Sequence, residues 1–421
     1  MLNRLLIAAL VLASAASFLR GGEGLADAKI CGVYTSVIEF ASRDARQAVI
    51  DAQPSFLMDK HKRAMAGDNA GALKLVREAG FDTLFMTIYP LWGKDWWAIP
   101  AARNLVKDAL VQSKGRARVH LGLSLFNAHM CQDPSRYPGA SRTIQCDGTR
   151  PSWVCFFDDE LWRYYAKNVV EMAKLGGEVP GVLGGIFIDP ETYGPECYLC
   201  FCDNCIRKFN AWSGAAMPAG LVKPDAWLHA NQLWTKYTVD WHGQEVLRHA
   251  IALREAIHAI DPKLRLSSLL WDYPVAVGAG DPRQQYFRML AIGLGTKEMP
   301  AWTLPEHTYY SDAADLERLI GQIERDIVQL GGEDRVRVLP GIRILRRDAA
   351  SLPPRGQVVR DSSAVGYWMY ELSDLGSKTP VDFEGTLVDP REKYVESLAQ
   401  MNRIIRAERD SRDAGAAPPG R

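Results

Sequence analysis

The chain has 421 residues, and Lys+Arg and Asp+Glu balance at 50 each, so no basic field argues for nucleic acid. Hydrophobic residues make up 47% and charged residues 24%, an ordinary globular composition with ample material for a large core, whether in two or three average domains or in one barrel. Aromatic residues reach 10%, with twelve Trp, a surplus that suits stacking on sugars and bulky core packing about equally.

Residues 1–28 read as a secretory signal. Arg4 supplies the positive charge, Leu5 to Leu19 the apolar stretch, and Ala26-Asp27-Ala28 the small-x-small form of a cleavage site. The apolar run is short for a membrane span. The expectation is therefore an exported protein, periplasmic or secreted, with no membrane partner once the signal is removed, in a compartment where disulfides can form. Eight short apolar or β-branched runs then follow in order, at 30–37, 83–90, 118–126, 184–191, 264–273, 299–307, 336–344 and 364–372. Amphipathic helical stretches separate most of them, as at 70–80, 161–177 and 315–332, each closing on glycine as a helix C-cap would. Near-continuous apolar strands alternating with helices imply a parallel sheet covered on both faces. Eight such units predict an α/β fold, a single (β/α)8 TIM barrel over 29–410, with long rim loops after strands three and four at 127–157 and 197–230. The end of the chain, 411–421, is small and proline-rich and is expected to be disordered.

In such a barrel, chemistry gathers where strands end. The fourth strand ends in Asp189 and Glu191, which share one face at spacing i, i+2. Pro190 between them gives no N–H to the sheet and should finish the strand there. Two adjacent acids away from water cannot both carry charge cheaply, so one pKa should rise, which is how a general acid is made. Other strand ends offer Asp272, Glu306 with His307, and Glu371. Rings cluster at the same ends: Tyr89, Trp92, Tyr193, Trp271, Tyr273, Trp302, Tyr309, Trp368 and Tyr370. Acids among rings suit glycoside chemistry, where carboxylates serve an oxocarbenium-like transition state and rings stack on sugars. The candidate catalytic residues are Glu191, Asp189, Glu371 and Glu306. The candidate substrate-binding residues are Tyr89, Tyr193, Trp271, Asp272, Trp302, His307, Trp368 and Tyr370.

Cys197, Cys200, Cys202 and Cys205 form a C-x2-C-x-C-x2-C segment. Cys200 and Cys202 are too close in sequence for an unstrained bridge, and no His stands beside the four to activate a thiolate. Thiolates at this spacing fit structural zinc, with Cys155 as an alternative ligand. Disulfides to Cys131, Cys146 and Cys155 in the preceding loop are the competing arrangement in an oxidising compartment. Either way these cysteines staple two rim loops.

The stretch "PETYGPECYLCFCDNCIRKFNAW" resembles the strand-four region of family 42 β-galactosidases and related hydrolase-like barrels. The resemblance implies that Glu191 is an acid/base and that Cys200, Cys202 and Cys205, followed by Phe209, belong to a zinc segment, with a further ligand from the strand-three loop, where Cys155 is nearest. Pro190 stands in place of that family's Asn, and "VLPGIRI" has no Glu to serve as its nucleophile. "GIFIDPETY" is similar to the strand-four end of family 18 chitinases and hyaluronidases, and "GYWMYEL" to their Trp-bearing last strand. That resemblance implies an acid at Glu191 and an Asp189 that positions the substrate's own acetamido group, although Phe187 stands where the chitinase motif has another acid.

The function expected from the sequence is a secreted glycoside hydrolase cleaving a polysaccharide or glycoconjugate, with carbohydrate as partner, structural zinc and no organic cofactor. The alternative is a catalytically silent carbohydrate-binding or polysaccharide-assembly protein on the same barrel.

Overall fold

The computed structural model describes residues 29–52, 69–88, 95–124, 138–151, 153–190, 199–270, 282–376 and 387–415. Their strands are β1 (Ile30–Ser36), β2 (Thr83–Thr87), β3 (Arg118–Ser124), β4 (Leu183–Asp189), β5 (Arg265–Leu270), β6 (Ala301–Pro305), β7 (Val336–Val338), β8 (Gly341–Arg343) and β9 (Gly366–Tyr370). All pair in parallel, in the order β7-β6-β5-β4-β3-β2-β1-β9-β8. β7 and β8 together make the predicted seventh strand. Leu339-Pro340 divides it: Leu339 N still donates to Thr303 O of β6 at 2.9 Å, while Pro340 O accepts from Trp368 N of β9 at 3.0 Å. The first half thus holds one end of the sheet and the second half the other, which curls it into a TIM-barrel-like ring.

The helices lie outside. They are α1 (Val37–Phe40), α2 (Arg43–Ala52), α3 (Asn69–Ala79), α4 (Pro100–Ser113), α5 (Asp159–Glu178), α6 (Asp203–Ser213), α7 (Pro224–Ala230), α8 (His242–His258), α9 (Pro282–Leu294), α10 (Ala313–Gln329), α11 (Leu352–Asp361), α12 (Leu372–Gly376) and α13 (Arg391–Gly415). Among the described residues no helix is long and apolar enough to cross a membrane. Gly80 (φ 78°) follows α3 and Gly331 (φ 72°) follows α10 in the left-handed region, the expected way out of a helix into the sheet. The third such prediction misses: α5 runs through Gly176 and Gly177 to Glu178. Gly176 is needed where it is, because a Cβ there would lie 2.7 Å from a methyl of Leu183.

Side-chain alternation sorts the strands into two apolar clusters. Val33, Met86, Leu121, Ile186 and Met369 face the helices. Tyr34, Phe85, Phe187, Leu304, Tyr309 and Trp368 fill the barrel itself. Rings pack there against glycines: a Cβ on Gly122 would fall 1.9 Å from the Phe187 ring. The filled interior leaves the C-terminal strand ends as the mouth. The signal segment 1–28 and residues 416–421 lie outside the described residues, while α13 continues into the tail as far as Gly415.

Candidate active site at the barrel mouth

β4 ends on Asp189, and Pro190 closes it as the sequence requires. Asp189 shares the interior face with Phe187 and is buried at 4% exposure. Its charge acts on Tyr165, whose hydroxyl donates to Leu123 O at 2.7 Å. Burial, reinforced by the Asp189 charge, pushes that phenol well above its ordinary pKa. Glu191, Tyr193, Tyr89, Trp92, Trp271, Asp272, Tyr273 and Cys197 lie outside the described residues.

At the other side of the ring, β8, β9 and β1 bring together a polar group of mixed charge. Arg343 ends β8, fully buried, with its guanidinium 4.9 Å from the Tyr370 ring centre and 6.0 Å from that of Tyr310. Asp374 of α12 faces it at 3.8 Å. Glu371 follows β9 half-buried and accepts from Ser373 Oγ at 2.5 Å. Tyr370 lies 5.1 Å from Tyr34 and 5.5 Å from Tyr309, ring centre to ring centre, giving the mouth an aromatic wall. Beneath it Trp368 is fully buried, 5.2 Å from Tyr309.

Two residues absent from the sequence-level site belong to this group. One is Arg343. The other is Glu39 on α1, whose carboxylate accepts from Thr35 Oγ1. Burial, and after it the Glu371 charge, raises Glu39 from 4.5 to about 7. A rule that looks for acids at strand ends passes over Glu39, because it lies one helical turn beyond β1.

Glu306 follows β6, its backbone N–H donating to Leu270 O at 3.1 Å and its carbonyl accepting from Tyr309 N at 2.9 Å. His307 beside it is depressed to about 4, by burial first and then by Arg288 and Arg318 of the helix layer. Trp302 is not at the mouth. It sits one residue into β6, at the N-terminal end of the barrel, stacked on His120 at 5.0 Å and within 5.4 Å of Arg265. The predicted strand ran to 307, but β6 begins only at Ala301, so its second residue falls on the opposite rim.

The cysteines resolve more fully. Sulfurs of Cys155, Cys200, Cys202 and Cys205 all lie within 4.8 Å of one another, and all four residues are buried. Cys155, the alternative ligand expected from the sequence, thus joins the group from the strand-three loop, while Cys197 lies outside the described residues. The Sγ atoms of Cys155 and Cys205 are 3.4 Å apart, well beyond a disulfide bond, and both cysteines are free. A tetrahedral ion with sulfurs at ~2.3 Å sets its ligands ~3.8 Å apart, so this donor set fits zinc. With no ion between them the thiols differ: hydrogen bonds from Cys155, Cys200 and Cys205 pull the Cys202 thiol far down, while burial pushes those of Cys155 and Cys205 up. The local fold supports the quartet. Phe201 N donates to Ile144 O at 2.8 Å, tying the two rim loops, and Tyr237 Oη donates to Cys200 O at 2.5 Å. Cys146 is free and half-buried, and its suggested partner Cys131 lies outside the described residues.

A second group with ligand chemistry, Asp159, Glu245 and His249, is an ion-pair cluster. Lys208 contacts the two acids at 3.1 and 3.2 Å, and Arg248 does so at 2.6 and 2.8 Å, so their charge is already balanced.

No protein-family pattern matches the chain, and no curated protein matches it by sequence. Solved structures do match in fold, and they define its class as a TIM barrel. The catalytic domain of β-amylase from Paenibacillus polymyxa superposes with a TM-score of 0.54 at 11% identity, covering 89% of this chain and 98% of that one. The β-galactosidase of the psychrophilic Marinomonas ef1 gives 0.55 at 11% identity, covering 92% of this chain. The cold-adapted β-galactosidase of Rahnella sp. R3 gives 0.55 at 13% identity, covering 90%. The chain spans only 60% and 56% of those two β-galactosidase chains.

Proposed function

We propose that the protein is an exported glycoside hydrolase acting on a polysaccharide or glycoconjugate, with Glu191 as general acid/base. The observation that carries this reading is the mouth itself. On a hydrolase-type barrel, Asp189 ends β4 and Glu371 follows β9, with the Tyr370–Tyr34–Tyr309 wall alongside Glu371. Oxocarbenium-like transition states need carboxyl groups on either side of a sugar held against rings. In this scheme Glu191, two residues past Asp189, protonates the leaving oxygen. Glu371 is the opposing carboxylate, Asp189 steadies the reacting sugar or its acetamido group, and Glu306 is the remaining alternative for the second acid. Cys155, Cys200, Cys202 and Cys205 would hold zinc, which ties down the rim loops and takes no part in bond cleavage. The signal-like segment 1–28 supports action in the periplasm or outside the cell.

A second reading has its own observation. β8 ends in Arg343 rather than an acid, which favours a silent carbohydrate-binding or assembly protein. One screen separates the two. Wild type and Glu191→Gln are offered acetylated and neutral glycans, and both cleavage and binding are measured. The hydrolase reading expects cleavage by wild type that the variant loses; binding by both proteins with cleavage by neither selects the silent barrel.

A further inference from the structure

Opposite the mouth, the N-terminal pole of the barrel collects cations that no acid answers. Interior side chains of alternate strands stack in layers. With a stagger of about one residue per strand, the pairings put Arg118 of β3, Arg265 of β5 and Arg337 of β7 in the lowest layer, beside Ile30 of β1. β4 makes room for them with glycine. A Cβ on Gly184 would fall 2.3 Å from the Arg118 stem, and one on Gly185 would fall 2.2 Å from Arg265 O and 2.5 Å from His120 Nδ1.

The guanidiniums are held in place but not neutralised. Arg265 Nη1 donates to Pro300 O at 2.6 Å, and Arg337 Nη1 donates to Glu333 O and Val336 O at 2.6 and 2.9 Å. These bonds fix one end of each fork. The Nε–Nη2 edge, which can grip an oxyanion with two parallel hydrogen bonds, has no hydrogen-bond partner among the described residues. None of the three arginines pairs with a carboxylate among the described residues, and acids of the neighbouring loops turn to other cations, Asp82 to Arg406 and Asp334 to Lys297. Arg118 is exposed and the other two are half-buried, so the layer is open to solvent. The arginines feel one another: burial first, and then Arg118 and Arg337, lowers the pKa of Arg265.

Behind the cations lie polar groups with nothing to bind. Two residues further along β3 and β5, His120 and Ser267 are fully buried, and neither imidazole nitrogen nor the hydroxyl has a hydrogen-bond partner among the described residues. His120 stacks on Trp302 at 5.0 Å, and the Arg265 guanidinium lies 5.4 Å from the same ring. Buried polar atoms are nearly always paired, so this set, directly above three cations without acids, marks a place built for a ligand.

We propose that this pole binds an oxyanion, a phosphate or sulfate group, between the open edges of Arg265 and Arg337, with Arg118 at the entrance and His120 and Ser267 as a hydrogen-bonding floor. The site lies at the end of the barrel away from Asp189 and Glu371, and it does not rest on the hydrolase reading. Its ligand has two sources, a free inorganic anion or an ester group carried on a sugar.

Isothermal titration of the full chain in a chloride buffer of low ionic strength tests it, with inorganic phosphate, inorganic sulfate and glucose 6-phosphate as probes. Wild type should bind at least one of them. Arg265→Gln and Arg337→Gln should each weaken that binding about tenfold or more, the loss expected for a charge-assisted bidentate contact. Arg318→Gln, which removes an exposed arginine paired with Asp315 on α10, should leave it unchanged. Equal binding of phosphate and glucose 6-phosphate assigns a free anion, and tighter binding of the ester assigns a sugar-borne group; either result supports the site. The proposal is overturned if wild type binds none of the probes, if binding survives both arginine substitutions, or if Arg318→Gln weakens it equally. Should those two variants fail to fold, Arg118→Gln at the exposed entrance replaces them, and an affinity it leaves unchanged would refute the site.

Discussion

Two parts of this molecule crowd like-charged groups together, and they do so in opposite ways. In the rim loops after β3 and β4, four identical donors, Cys155, Cys200, Cys202 and Cys205, are buried and face one another. At the β1–β9 seam, Glu39, Glu371 and Asp374 are half-buried beside hydroxyls, tyrosines and Arg343. A closed set of soft donors is relieved by one cation placed at its centre, and nothing else can approach it. An open set of carboxyls is relieved by sharing protons and charge, and a substrate can approach it. Burial and donor uniformity therefore separate a staple from a place for chemistry, although both look like clusters of acidic groups in a list of residues.

The largest effect should come from the open cluster. Glu371→Gln is expected to lower turnover by roughly 10²–10⁴-fold on any glycan the wild type cleaves, with the fold checked by circular dichroism. Near-normal turnover would move the second carboxylate to Glu306 or Asp189. The closed cluster should answer in stability. If the quartet holds zinc as proposed, Cys202→Ser is expected to abolish zinc binding and to cost about 3–5 kcal/mol of unfolding free energy, measured by urea denaturation beside elemental analysis, with residual turnover in whatever protein stays folded. Abolished turnover in a fully stable variant would make the cysteines chemical and erase the distinction.

Smaller effects sharpen it further. Gly122→Ala drives a methyl group into the Phe187 ring beneath Asp189, an overpacking expected to cost about 1–3 kcal/mol. At Glu39 the sign is set by a folded pKa of about 7 lying above the ordinary 4.5. The folded state binds the extra proton between those values, so this group's contribution is fully present below pH 4.5 and declines as pH rises to 7. Glu39→Gln should remove that decline. Relative to wild type it should gain up to about 2 kcal/mol between pH 4.5 and 7.5, since the residue is half-buried and solvent trims the effect. A difference independent of pH would contradict the raised pKa.

Much of the barrel could be read in advance because each strand is a short apolar run and Pro190 must end β4 wherever that strand falls. The zinc-like segment was legible through spacing alone, and Cys155 through its place in the preceding loop. Other features depend on contacts that no local pattern encodes. Leu339-Pro340 splits one strand in two only because its halves serve different neighbours. Trp302 sits at the N-terminal rim because β6 starts later than its apolar run suggests. Glu39 owes its raised pKa to burial first and then to the charge of Glu371, a residue 332 positions away, and both come only with the folded ring. Burial and register, in other words, decide which acids matter, and neither is written in any one segment.

The central claim is that Glu191 gives the proton to the leaving oxygen. Its most direct test compares wild type with Glu191→Gln on two versions of one substrate, a natural glycoside and an aryl glycoside whose leaving group needs no proton. The account expects a loss of roughly 10²–10⁴-fold on the natural glycoside and a much smaller loss on the aryl one. Equal losses on both, or near-normal turnover of the natural glycoside by the folded variant, would contradict it.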